Sequence, residues 1–336
     1  MIKLPHVVAG TSLLGNLYEE MNFEQKKAIV KAYIEANGLP AVFDSAGKYG
    51  AGLALETLGE CLRALNVSPQ DVIISNKLAW VRVPLTTDEP TFEPGVWKNL
   101  QYDAVQNISY NGILECFEQG NALLKTYTAQ LVSVHDPDEY LAAATDKADE
   151  QKRYANILGA YRALFDLKQK GLVKSVGIGA KKWEVIERIY NDVKLDWVML
   201  ANSLTVYHHP PQLLAFVNRL YNDGVTIINS AVFHGGFLIG SNYFNYRPVS
   251  ADNEDDVALL QWRERFFDLC SRFKIKPAEA CINFATNIPG ITSIALNSSS
   301  PQRTKQNIDT ATAQVPKAFW QEMKAQGLIS TDYGNV

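Results

Sequence analysis

Asp44, Tyr49, Lys77 and His135 have the side-chain types needed to move a proton at a carbon-bound oxygen, and they cluster near the ends of three short apolar runs. A phenol ordinarily loses its proton near pH 10, so around neutrality it is a good acid and a poor base. An ammonium beside the phenolic oxygen stabilises phenolate, and a carboxylate beside the ammonium keeps the lysine charged. A downward shift of three units would represent about 4 kcal/mol between the two protonation states. Tyr49 so placed protonates a developing alkoxide or takes the proton of an alcohol, while His135 shares a hydrogen bond with the same oxygen. Hydride transfer at the carbon bearing that oxygen would be carried by a bound nicotinamide, because no side chain supplies hydride. Taken singly, each residue also has a structural explanation. Asp44 suits a helix cap, and His135 beside Asp136-Pro137 suits a turn anchor. Convergence on one face separates the two explanations.

That convergence depends on the elements. Apolar, β-branched runs recur at Val7 to Ala9, Ala41 to Phe43, Val72 to Ser75, Leu131 to Val134, Val173 to Ile178, Trp197 to Leu200, Val225 to Ile228 and Ile291 to Ala295. Most lack polar alternation, as strands buried on both faces should. Helical spacing lies between them: Phe23 to Asn37, Leu53 to Leu65, Gly112 to Leu124, Asn156 to Gln169, Trp183 to Tyr190, Pro211 to Asn222, Asp255 to Phe273, and Ala278 to Thr286 after Pro277. Strands alternating with helices in this way predict an α/β fold, the eight-stranded parallel (β/α)8 TIM barrel, as a single domain over residues 1–336. In such a barrel the carboxyl ends of sequence-distant strands share one mouth, and Gly47 favours a turn that returns Tyr49 to it. An open doubly wound sheet is the rival. Its only support is Gly177-x-Gly179, which is not in a first βα turn and has Lys182 where a third small residue belongs. Residues 78–100, 136–149 and 233–253 are rich in proline, acid, or glycine with aromatics, and read as loops or small subelements beside a pocket.

Composition narrows the function classes. The chain has 336 residues, 47% of them hydrophobic, and a formal charge of -4 from 32 basic and 36 acidic residues. This leaves no broad positive field for nucleic acid. Cys61, Cys116, Cys270 and Cys281 are widely spaced, which suits reduced thiols. His208-His209 has no third ligand at an informative spacing, so no metal is expected. No apolar stretch approaches the roughly 20 residues that span a bilayer, and the N-terminus lacks a leader pattern; a cytoplasmic protein without membrane contact is expected. Apolar helix faces do not by themselves identify an oligomeric partner.

The ordered blocks Gly10 to Gly15, Phe43-Asp44-Ser45-Ala46-Gly47-Lys48-Tyr49-Gly50, Leu58-Gly59, Asn76-Lys77, Val134-His135-Asp136, and Ser300-Pro301-Gln302-Arg303 with Asn307 resemble the aldo-keto reductase family. The resemblance spans most of the chain. It implies a barrel whose catalytic residues are Asp44, Tyr49, Lys77 and His135, with Tyr49 as acid or base. Val176-Gly177-Ile178-Gly179 with Trp183, and Ile228-Asn229-Ser230-Ala231 with Phe233, Gly236 and Leu238, are similar to aldose 1-dehydrogenases acting on sugars such as L-fucose, L-galactose and D-arabinose. The resemblance thus implies oxidation of an anomeric C1 hydroxyl to a lactone with NAD or NADP. Reduction of an aldehyde or ketone is the alternative, and a non-catalytic nicotinamide-binding protein is a third reading.

For the cofactor, the turn Asn297-Ser298-Ser299-Ser300 leading into Pro301 offers helix N–H groups and hydroxyls to an anion, with Arg303 in the first turn. The resemblance places Asn297 where many NADPH-preferring members have lysine, which favours NAD. It also places Asn307 at the cofactor and Ser230 where many members stack an aromatic ring on nicotinamide. Phe233 is expected to cover part of that pocket and Asn202 to hold the carboxamide. Substrate contacts are expected from Trp80 and Phe233, with Tyr110, Trp183, Tyr207 and His208 as further aromatic or polar candidates.

Overall fold

Eight strands, β1 (Val7–Gly10), β2 (Ala41–Ala46), β3 (Val72–Leu78), β4 (Leu131–His135), β5 (Ser175–Ala180), β6 (Trp197–Ala201), β7 (Thr226–Ser230) and β8 (Ile291–Leu296), close into a barrel in a computed structural model describing residues 3–245 and 247–330. Every neighbouring pair in the barrel is parallel, including β1 with β8. The fold is the (β/α)8 barrel that the alternating pattern predicts. Both ends of the expected 1–336 domain, and Tyr246, lie outside the described residues.

Side chains alternate across each strand, so register decides what meets inside. Asp44 stands opposite Ser75, Lys77 opposite Ser133, and His135 opposite Gly179. The lower interior is apolar: Leu131, Trp197, Met199 and Ile228 pack together with Leu4, Ile73 and Ala295. Polar side chains thus collect above this floor at the strands' carboxyl ends. Gly177 and Gly179 serve this interior. A Cβ on Gly177 would lie 2.2 Å from the Trp197 indole, and one on Gly179 would lie 3.0 Å from the Lys77 side chain. The Gly-x-Gly pair makes room for core side chains and forms no dinucleotide turn.

The helices Phe23–Asn37 and Pro211–Asn222 have the bounds that apolar spacing predicts. The helix expected from Asn156 instead runs Lys147–Gln169. Asp146 caps it by accepting from Asp149 N–H at 2.8 Å, and its first turns are too polar to show a stripe. Residues 78–100 are not simply loop, because Trp80–Pro84 pairs antiparallel with Tyr102–Gln106. The 136–149 segment contains a short helix, Pro137–Ala142, and a helix at Lys317–Ala325 buries Phe319, Trp320 and Met323. No helix among the described residues is long and apolar enough to cross a membrane.

Candidate active site

Asp44 is held from three sides. Its backbone carbonyl accepts from the Thr11 N–H and hydroxyl, each at 3.0 Å. Its carboxylate accepts from the Ser75 hydroxyl at 3.0 Å and from the Lys77 ammonium. Lys77 also donates to the Ser45 carbonyl at 3.2 Å, and its Nζ lies 4.7 Å from the centre of the Tyr49 ring. His135 meets Tyr49 edge-on with ring centres 5.6 Å apart. The four residues therefore share one mouth, and Asp44 caps no helix. Burial, then the charges of Lys77, Lys48 and Lys181, hold His135 well below its ordinary range, so the ring is neutral, with one nitrogen to donate and one to accept.

A second set of charges surrounds the first. Lys48 is buried and approaches Glu93 at 2.7 Å, Glu139 at 3.3 Å and Asp136 at 3.6 Å. Burial opposes its charge, but Asp136, Glu93 and Glu139 outweigh that and raise its pKa. Glu93 also accepts from the Trp97 indole N–H at 2.7 Å, and Trp97 packs on Tyr49 with ring centres 6.0 Å apart. The segment after the hairpin strand thus walls one side of Tyr49. Trp80 stands beside it, under Lys48 Nζ at 5.2 Å, with its buried Nε1 unpartnered.

The remaining candidates form two groups. Ser230 donates to the Leu200 carbonyl at 3.2 Å, and its own carbonyl accepts from Asn202 N–H at 3.2 Å. Asn202 opens onto a cavity of about 690 Å³, also lined by Lys181, Trp183, Tyr207, His208 and His234. Phe233 packs between two apolar clusters. In the second group, Asn297 donates to Ser12 Oγ at 2.7 Å, and its carbonyl accepts from Asn307 at 3.1 Å. Ser300 caps the helix Pro301–Thr312 by accepting from Arg303 N–H at 3.2 Å, Ser298 donates to the Ser300 carbonyl at 2.8 Å, and the Arg303 guanidinium donates to Ser299 at 3.1 Å. Tyr110 donates to Asp166 at 2.6 Å and links two helices.

Residues 6–327 match the Aldo/keto reductase family. The chain belongs to that family. Among its relatives, pyridoxal 4-dehydrogenase of Microbacterium luteolum is 26% identical over 96% of this chain and 93% of its own length. D-threo-aldose 1-dehydrogenase of a Pseudomonas species is 23% identical over 98% and 96%. Among solved structures, a holo aldo-keto reductase from Bacillus halodurans superposes with a TM-score of 0.67 at 17% identity, covering 96% of this chain and 92% of its own. A glycerol dehydrogenase from Gluconobacter oxydans gives 0.65 at 14%, covering 95% and 91%.

Aldo-keto reductases are oxidoreductases that use NAD(P)(H) with small carbonyl or sugar substrates. The residues present fit a nicotinamide: the buried Asn202 Oδ1 has no partner, so it is free to accept from a carboxamide N–H. Sequence reasoning missed Lys48, Glu93, Trp97, Asp136 and Glu139. Adjacency to Tyr49 and His135 was the available signal for Lys48 and Asp136. Glu93 and Trp97 gave none, because a long loop brings them in.

Proposed function

We propose that this aldo-keto reductase oxidises the C1 hydroxyl of a cyclic hemiacetal, in the first instance an aldose such as L-fucose or L-galactose, to the lactone. The observation that carries this reading is Tyr49 packed against the Asp44-paired Lys77 ammonium and a neutral His135. Lys77 holds Tyr49 as the phenolate, which takes the C1 hydroxyl proton and becomes the neutral phenol, and Asp44 holds Lys77 in place. His135 shares a hydrogen bond with the C1 oxygen and turns the carbon toward the cofactor. When bound, the oxidised nicotinamide supplies the hydride acceptor. The two relatives are named for pyridoxal and for a D-threo-aldose. Both compounds close on themselves as cyclic hemiacetals, which present a hydroxyl and a hydrogen on one ring carbon. Aldehyde or ketone reduction is the same proton transfer run backwards.

NAD is the preferred cofactor in this reading. Asn297 brings no positive charge to a ribose 2'-phosphate, and its side chain is engaged with Ser12. Ser298, Arg303 and Asn307 surround the anion end, with Ser230 and Phe233 beside the nicotinamide and Trp80 facing the substrate. Residues 1–336 act as one catalytic domain, and four buried free cysteines suit a reducing cytoplasm. The test is initial rates with NAD and NADP on L-fucose, L-galactose, D-arabinose and pyridoxal, and with the reduced cofactors on aliphatic carbonyls. Turnover confined to aliphatic carbonyls would remove hemiacetal oxidation.

A further inference from the structure

We propose that Asp136 is a specificity-determining residue that accepts a hydrogen bond from a hydroxyl on the carbon next to the reacting one. The site thereby selects α-hydroxylated carbonyls and their cyclic hemiacetals. Asp136 directly follows His135 and holds a left-handed backbone at φ 47°. Non-glycine residues in that region are uncommon and cluster at functional sites. Its N–H donates to the Gly179 carbonyl at 3.0 Å, which fixes the direction of the side chain. Asp136 occupies the N-cap position of the helix Pro137–Ala142, yet its carboxylate makes no capping bond. The ordinary structural duty of an aspartate at this place is not performed.

The carboxylate borders His135 on one side and, on the other, Lys48 and the cavity-lining Lys181. Its Oδ2 lies 3.6 Å from His135 Nε2, 3.6 Å from Lys48 Nζ and 3.8 Å from Lys181 Nζ. All three lie beyond good hydrogen-bond length, and the lysines make closer contacts with Glu93 and Glu139. Two ammonium groups therefore compensate for burying the charge without occupying its lone pairs. Lys181 and Glu139 line the cavity of about 690 Å³, so the network reaches from its wall to the catalytic histidine. An oxygen bound at Tyr49 and His135 brings the hydroxyl of the neighbouring carbon to this acceptor. A substrate lacking that hydroxyl leaves the buried carboxylate charge-compensated but without a hydrogen-bond donor, which is the stronger form of discrimination.

In its hemiacetal form the inference rests on the proposed function, so the experiment uses two substrate pairs. L-Fucose against 2-deoxy-L-fucose is measured in oxidation, and glyceraldehyde against 3-hydroxypropanal in reduction. The wild-type enzyme should favour the 2-hydroxylated member by about 10- to 100-fold in kcat/KM, the range of a hydrogen bond to a charged group. Asp136→Asn should bring that ratio to within about threefold of unity, and Asp136→Ser reads the same ratio if the amide variant is unstable. No preference in the wild-type enzyme overturns the inference without any variant. A variant that slows both members equally and keeps the ratio also overturns it, since Asp136 would then act through His135. Inactivity on both sugars, with the aldehyde ratio present and collapsing in the variant, sinks the proposed function and leaves Asp136 standing.

Discussion

The β2–β4 side of the mouth and the side above β5–β7 are built differently. On the first, Asp44, Lys77 and His135 project from strand ends, and register alone brings Asp44 opposite Ser75 and aligns Lys77 with β4. On the second, helix residues such as Trp183 and Leu259 share the cavity wall with loops fastened by their own local bonds. His234 engages Thr205 at 2.7 Å and Asn245 at 2.9 Å while stacking on Phe244 at 4.6 Å, and Arg247 forms a paired bond with Asp256. Groups that move a proton need fixed geometry, which a closed sheet supplies. Groups that recognise a ligand tolerate exchange when they sit on self-contained loops.

If the strand-end side carries the chemistry, its variants should lose rate without losing the loops. Tyr49→Phe keeps the ring against Trp97 and Lys77 but removes the exchangeable proton. Turnover should fall by about 10²- to 10⁴-fold with an unchanged melting temperature. Single-turnover hydride transfer near the wild-type rate would take Tyr49 out of the mechanism. Lys77→Met tests the ion pair beneath it. Leaving the buried Asp44 carboxylate without its cation should cost about 3–5 kcal/mol in urea unfolding. Adding Asp44→Asn should restore most of that stability and none of the activity. Equal stability in the single and double variants would show that the pair is not a structural unit.

The same contrast explains what the chain made legible. Strand ends are local in sequence, so Phe43-Asp44, Asn76-Lys77 and Val134-His135 could be read as one mouth before any contact was known. Buried strands carry unbroken apolar runs, which made the barrel itself readable. Glu93 and Trp97 were not readable as parts of the site, because a pairing of Trp80–Pro84 with Tyr102–Gln106 carries them to Tyr49 and leaves no periodic trace. Gly177 and Gly179 were visible but ambiguous. Their reason lies in Trp197 and Lys77 on neighbouring strands. The polar first turns of Lys147–Gln169 were hidden for the opposite reason, since an exposed helix start has no stripe to find.

Acid should loosen the loop side through His234. Burial lowers its pKa to about 4, with the Asn245 hydrogen bond opposing the shift. A depressed folded value means the unfolded chain binds the proton first. The stability present above pH 6.5 is therefore lost as pH falls toward 4, by up to about 3 kcal/mol from this residue. His234→Gln keeps polar atoms for Thr205 and Asn245 without a titrating ring. Unfolding free energies measured from pH 7 to 4 should decline less steeply in that variant. Parallel curves would show that His234 does not set the acid limit.

The smallest expected effect concerns Asn297, which in the proposed reading biases the choice between NAD and NADP. Asn297 folds over Gly10, where a Cβ would meet its Oδ1 at 2.3 Å, and donates to Ser12, so it turns toward the barrel rim. Asn297→Lys replaces that contact with a flexible cation beside the Ser300-capped helix. The ratio of kcat/KM for NADP over NAD should rise by about tenfold, the worth of one charge-assisted hydrogen bond to phosphate. The rise should shrink with added salt, because an exposed ammonium and phosphate are screened within about 10 Å at 0.1 M. A rise that ignores salt would point to release of Ser12 as its cause. A ratio that does not move would place the ribose 2'-phosphate out of reach of a lysine at position 297.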